Sequence, residues 1–195
     1  PPDAGPGGWV IRRCSDGTLD TAWVPTVRAI RETPEMLAQR AVNRLPLPLP
    51  EPLFEPRRSS SAGPATLVAI STSFYLSAWA PASQRTQAGS VWAVVSAEPV
   101  SATWWPGDGG APVQCAGAGR AWTDPNATGP RCTYTYTRSS AAEPGNIYTA
   151  RVTVTWRVSW RGSGGQAGTL PLMQRQSEFP VAVAERQTVV VGGGS

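Results

Sequence analysis

"YTARVTVTWRVSWR", residues 148–161, alternates without a break. Tyr148, Ala150, Val152, Val154, Trp156, Val158 and Trp160 share one parity, and Thr149, Arg151, Thr153, Thr155, Arg157, Ser159 and Arg161 share the other. Successive side chains of a strand point to opposite faces, so this is one strand with an apolar face and a polar face. At about 3.3 Å per residue it runs roughly 46 Å, against a usual strand of about 5–6 residues. That length raises two questions: what buries the apolar face over such a distance, and what the polar face meets.

Downstream, "GSGGQAG" reads as a turn and "TLPLMQRQSEFPVAVAERQTVVV" as the returning strand. Its apolar parity changes between Leu172 and Phe179, which a β-bulge produces while bending the strand. The two strands form an extended hairpin, expected to have its base in a sandwich and its tip projecting. The apolar face near Tyr148 and Val152 should meet the strands carrying Trp92, Trp104 and Tyr134. Near Trp156 and Trp160 the hairpin should outrun its sandwich and need a cover, because a long exposed apolar edge invites aggregation. That cover is either an N-terminal helix carrying Leu37 or a neighbouring subunit.

Upstream, "TLVAISTSFYLSAW" gives one strand or two, and "SVWAVVSAEPVSATWW" gives two broken near Pro99. "CTYTYT" is a further strand. Short strands separated by Gly/Pro turns predict a mainly β protein with a β-sandwich over residues 66–191. Residues 1–45 read as an N-terminal segment. It holds a short hairpin, whose "SDGT" supplies the tight turn, and a helix over 34–45. Thr33 suits the cap, Pro34 the first helical position and Glu35 the dipole. "LPLPLPEP" favours polyproline II, so residues 46–65 read as a Pro-rich linker, with 192–195 a flexible tail.

All seventeen basic residues are Arg, for His and Lys are both absent. Without them there is no imidazole base or ligand, no Schiff base and no P-loop lysine. Asp108, Asp124 and Glu143 lie in turn-like segments with no pattern that pairs them for glycoside cleavage. The reading is therefore non-enzymatic, with no cofactor, no metal and no catalytic residue. Net charge is +4 with scattered arginines, which predicts no nucleic-acid partner. No run of eighteen apolar residues occurs, so no membrane span is expected. The opening "PPDAGPGG" lacks the basic and apolar regions of a signal peptide.

Cys115 and Cys132 bracket the Gly/Pro-rich "AGAGRAWTDPNATGPR". A disulfide closing it would stabilise by about 3 kcal/mol and points to an oxidising, extracellular compartment. Cys14 is then free, paired between chains, or paired with a cysteine upstream of Pro1.

"ATWWPGDGG" runs aromatic residues into a turn made by Gly107, Asp108 and Gly109. With "CTYTYT" and "YTARVTVT" following in order, residues 66–160 resemble the polycystic-kidney-disease (PKD) domain, which implies an immunoglobulin-like sandwich. Trp105 and Pro106 stand where that domain has Asp and its follower, so the resemblance implies no calcium site. Over nearly the whole chain, "TPEMLAQRAVNRLPLPLPEP", "WWPGDGG", "QCAGAGRAW", "RCTYTYT" and "VTVTWRVSWRGSGGQAGTL" are similar in order to a family of secreted or envelope-associated actinobacterial proteins of unestablished function. Its members often carry the label "ATP/GTP-binding", to which this lysine-free chain gives no support. The resemblance implies location and fold. The functional expectation is an extracellular structural or interaction protein, a subunit of a surface assembly that meets a protein partner or itself. The alternative is a module for carbohydrate or an anionic envelope polymer. The expected interaction surface is Arg151, Arg157 and Arg161 with Trp156 and Trp160.

Overall fold

The structure, a computed structural model, describes residues 7–25, 32–123, 126 and 129–185. The chain forms two compact units, Pro1–Thr33 and Pro34–Ser195. In the first, β1 (Gly7–Arg13) pairs antiparallel with β2 (Leu19–Pro25). The turn is the expected one. Asp16 accepts bonds from the Thr18 amide at 3.0 Å and hydroxyl at 2.7 Å, and Gly17 takes a positive φ of 84°. Trp9 meets Trp23 edge-on at 5.6 Å.

The second unit is mainly β, a sandwich with a long C-terminal hairpin. Its chain order is α1 (Pro34–Val42), β3 (Pro52–Glu55), β4 (Arg58–Ser60), β5 (Gly63–Leu67), β6 (Ser71–Leu76), β7 (Ala82–Ala88), β8 (Val91–Trp105), β9 (Val113–Cys115), β10 (Cys132–Thr135), β11 (Tyr148–Gly162) and β12 (Ala167–Ala184). The large sheet has seven strands ordered β4-β5-β12-β11-β8-β7, with β9 paired to β8, and the small sheet is β10-β6-β3. Between them Phe74 of β6 stacks on Trp104 of β8 at 5.3 Å, and Phe179 of β12 meets both edge-on.

The opening strand is β11, with every even residue from Tyr148 to Val158 buried and Trp160 half-buried. It is paired on both sides, with β12 from Tyr148 to Arg161 and with β8 from Arg151 to Gly162. The projecting tip is thus corrected: β8 accompanies the hairpin almost to its end. The cover is α1, which packs on β7, β8 and β11 with Leu37, Ala38 and Ala41 fully buried. Alanines 93 and 97 of β8, also buried, leave room for it. At Gly162 a Cβ would stand 2.5 Å from Pro34, so only glycine admits the start of the helix there. The small sheet covers one half of the long apolar face and the helix the other.

Two bulges tune the large sheet. The register of β11 with β12 slips between Trp156 and Val158, opposite Pro171 and Leu172. This is the expected parity switch: Gly168 and Leu170 lie on the inner parity before it, Met173 and Phe179 after it. The other slip lies between Thr155 and Trp156, where β8 carries Val100 as an extra residue next to Pro99. The expected break there is corrected, because β8 runs through as one strand of 15 residues. The bulge and the lack of a partner strand on its other side let a proline sit inside the sheet.

Residues 46–65 are not a linker. β3 joins the small sheet, and β4 and β5 extend the large one, with β5 parallel to the end of β12. Leu47, Phe54 and Ala65 are buried. Prolines that exclude helix still allow edge strands, and Pro52 opens β3. The helix ends at Val42 rather than Leu45 because Leu45 precedes Pro46 and is pushed toward extended backbone. It belongs with the sandwich unit rather than with the hairpin. Residues 186–195, including the expected end of the last strand and the tail, lie outside the described residues.

Leu37→Ala should cost about 2–5 kcal/mol by opening a cavity under the helix. Leu172→Ala, at a position 63% exposed, should stay within about 0.5 kcal/mol of the parent. Denaturant melts of both variants check the contrast, and equal midpoints would remove the helix from the core.

Candidate functional site

Three tyrosines and one aspartate of the sandwich hold its loops. The turn after β8 places Gly107 at φ 90°, where a Cβ would stand 2.5 Å from the Thr149 carbonyl oxygen. Asp108 then accepts the Gly110 amide at 3.0 Å and the Tyr134 hydroxyl at 2.8 Å. A Cβ on Gly110 would collide with that hydroxyl, so glycine is required on both sides of Asp108. Gly109, at φ 83°, faces open space. The Tyr136 hydroxyl donates to the Pro106 carbonyl at 3.0 Å, and its ring stacks on Tyr148 at 5.6 Å. Burial, then the bond to Asp108 and its charge, push the Tyr134 phenol up to about 12. Burial pushes Tyr136 higher still, with the Asp108 charge adding to it. Both phenols remain protonated donors across the physiological range. This cluster ties the end of β8 to β10 and its sequel in the other sheet.

The expected disulfide forms. Cys115 of β9 and Cys132 of β10 are bonded, with Cα atoms 5.9 Å apart, and so link the two sheets. Cys14 is free and exposed. A residue with no sequence signal secures the loop that the disulfide closes. Glu55, in the stretch read as linker, accepts the Trp122 amide at 2.8 Å and the Thr123 amide and hydroxyl, each at 3.0 Å. Its partial burial pushes the carboxyl up, but the Thr123 and Trp122 donors outweigh burial and hold it below the ordinary value. Trp122 is left 44% exposed.

The arginine stripe lies on the outer face of the large sheet. Arg157 and Arg161 are exposed, and Arg151 is half-buried with its guanidinium 4.4 Å from the Trp105 ring centre. Trp156, at 3% exposed, and Trp160 point the other way. The expected surface is therefore divided: the arginines can meet a partner, while Trp156 is core. Trp92 lies on the outer face beneath Arg85 at 4.6 Å. The register continues this face across strands: Gln114–Thr103–Thr153–Gln176 in one row and Ser101–Thr155–Gln174 in the next. Glu98 and Glu178 are its carboxylates, in register with Arg157 and Arg151. Among the described residues none of Arg85, Arg151, Arg157 and Arg161 forms an ion pair. The strand carrying Arg85 has polar residues on both parities, which is why alternation did not reveal it.

Among the described residues no group of His, Cys, Asp or Glu could hold a metal ion, and no helix is long and apolar enough to cross a membrane. Of the acids weighed for catalysis, Asp108 is bound to its turn, Glu143 sits in a surface turn, and Asp124 lies outside the described residues. The class of protein defined here is a disulfide-linked β-sandwich with an open polar face. No family model, curated protein or solved structure matches the chain.

A group with a depressed pKa stabilises above its unfolded-state pKa and loses that contribution as pH falls through the folded value. The Trp122 and Thr123 amide resonances should therefore hold their positions from neutral pH through the ordinary glutamate range, then shift together below it. Glu55→Gln should show the acid-form positions at every pH, and resonances identical to the parent's at neutral pH would rule the latch out. Separately, reducing the disulfide, whose cysteines are 17 residues apart, should lower stability by about 3 kcal/mol, read as a drop in denaturant midpoint with and without reductant.

Proposed function

We propose that the protein is a non-enzymatic extracellular interaction protein whose working surface is the outer face of the seven-stranded sheet. The observation that carries this is the contrast between the two faces. The inner face is largely covered by the small sheet and the helix, while the outer face holds four arginines outside any ion pair among the described residues. The carboxylates that the fold engages most closely, Asp108 and Glu55, are committed to holding loops. The inter-sheet disulfide supports an oxidising compartment, in keeping with the resemblance of the sequence to envelope-associated proteins. Here the sandwich is a rigid scaffold, and its hairpin strengthens the sheet rather than reaching out as an arm.

Charge reversal on the outer face tests this without touching the core. The parent should either self-associate in light scattering, above its 20.6 kDa protomer, or be retained on isolated cell envelopes. Arg157→Glu with Arg161→Glu should abolish that association and leave the melting midpoint unchanged. A parent that stays monomeric and washes off envelopes completely would contradict the proposal.

A further inference from the structure

The outer face is most distinctive near the β11–β12 turn. Arg85 of β7, Val94 of β8, Arg161 of β11 and Ala167 of β12 stand in one row. Adjacent strands are about 4.8 Å apart, so the two arginines flank Val94 at roughly 10 Å from each other. No carboxylate occupies that row. Arg85 is held in place, its guanidinium 4.6 Å over Trp92 and donating to the Gln87 side chain at 3.2 Å. A guanidinium seated on an aromatic ring loses little freedom on binding and keeps its outer donors for a second group. The next row is Ser83–Ser96–Ser159–Thr169, four hydroxyls across four strands. Beyond it come Glu98 and Arg157, opposite charges in register.

We infer that this corner binds an acidic polysaccharide, with Arg85 and Arg161 on two acid groups of the chain and the serine-threonine row on its hydroxyls. The inference rests on the reading of the outer face as the working surface and names its occupant. Isolated guanidiniums call for anionic groups and form paired bonds to them. A row of hydroxyls, each both donor and acceptor, matches a ligand dense in hydroxyls. An acidic peptide fits less well. Extended peptides bind by adding to a sheet edge through the backbone, and the flat of a sheet offers side chains only.

The probe is polygalacturonate, with neutral dextran and poly-glutamate as comparators, on the whole protein. The parent should bind polygalacturonate, weakening steeply with added salt, and bind poly-glutamate at least tenfold less tightly and dextran not at all. Arg85→Gln with Arg161→Gln should lose at least tenfold in affinity. Arg175→Gln, whose residue pairs with inward-facing Val154, should bind as the parent does, and all three should melt together. Equal binding of poly-glutamate would assign the face to a protein partner and overturn the inference. So would an unimpaired Arg85/Arg161 double variant, or no binding to polygalacturonate. If envelope retention or self-association survives that last result, the interaction reading stands and only the polysaccharide is wrong.

Discussion

The structure depends on one constraint: a strand that alternates over fifteen residues must have its apolar side covered over its full length. Water-exposed apolar surface costs about 25 cal/mol per Å², so a bare half of β11 would outweigh much of a domain's net stability. The chain meets the constraint with two unlike covers. Phe74 and its small sheet lie over Trp104 and Val152, and the helix of Leu37 lies over the half with Ala97 and Val158. Residues 45–50 pass between them, with Leu47 buried and Pro48, Leu49 and Pro50 lining a small apolar cleft with Trp156. The length of the opening strand follows from a large sheet that serves two packing partners.

Two covers create a second requirement, because three strands and one short helix are small bodies to keep in register on a large sheet. The cross-links gather on the small sheet. The disulfide, the Asp108–Tyr134 bond and the Tyr136–Pro106 bond all join β10 or the residue after it to β9 or to the turn between β8 and β9. Glu55 joins the β3 edge to the disulfide loop. The helix is held by close packing, with Leu37, Ala38 and Ala41 fully buried against β7, β8 and β11. Both devices act on the inner face and leave the outer face open.

Most of the fold was legible where alternation is strong. β11, the hairpin with its parity switch, the disulfide and the helix all stand out in the sequence, because each has a local physical signal. What was hidden lacked one. The segment 46–65 looks like a linker because prolines dominate it, yet an edge strand needs only half its backbone groups paired and tolerates them. β7 reads as neither strand nor helix because its inner residues are Ala82, Gln84, Thr86 and Ala88. The outward position of Trp92 under an arginine had no signal either, because it has the same composition as an inward one. Of the candidate surface, the arginine stripe and its separation from Trp156 were both visible in the sequence as opposite parities of one strand; what the sequence did not show is how deeply Trp156 is buried, at 3% exposed.

Hydrogen exchange along β11 in the native protein tests the central claim most directly. If the helix and β8 cover and pair the far half, amides between Arg157 and Gly162 that face β8 should be protected to nearly the same degree as those between Val152 and Val154. A steep fall in protection beyond Trp156, with the last residues exchanging like a free hairpin, would contradict the account and restore a projecting arm.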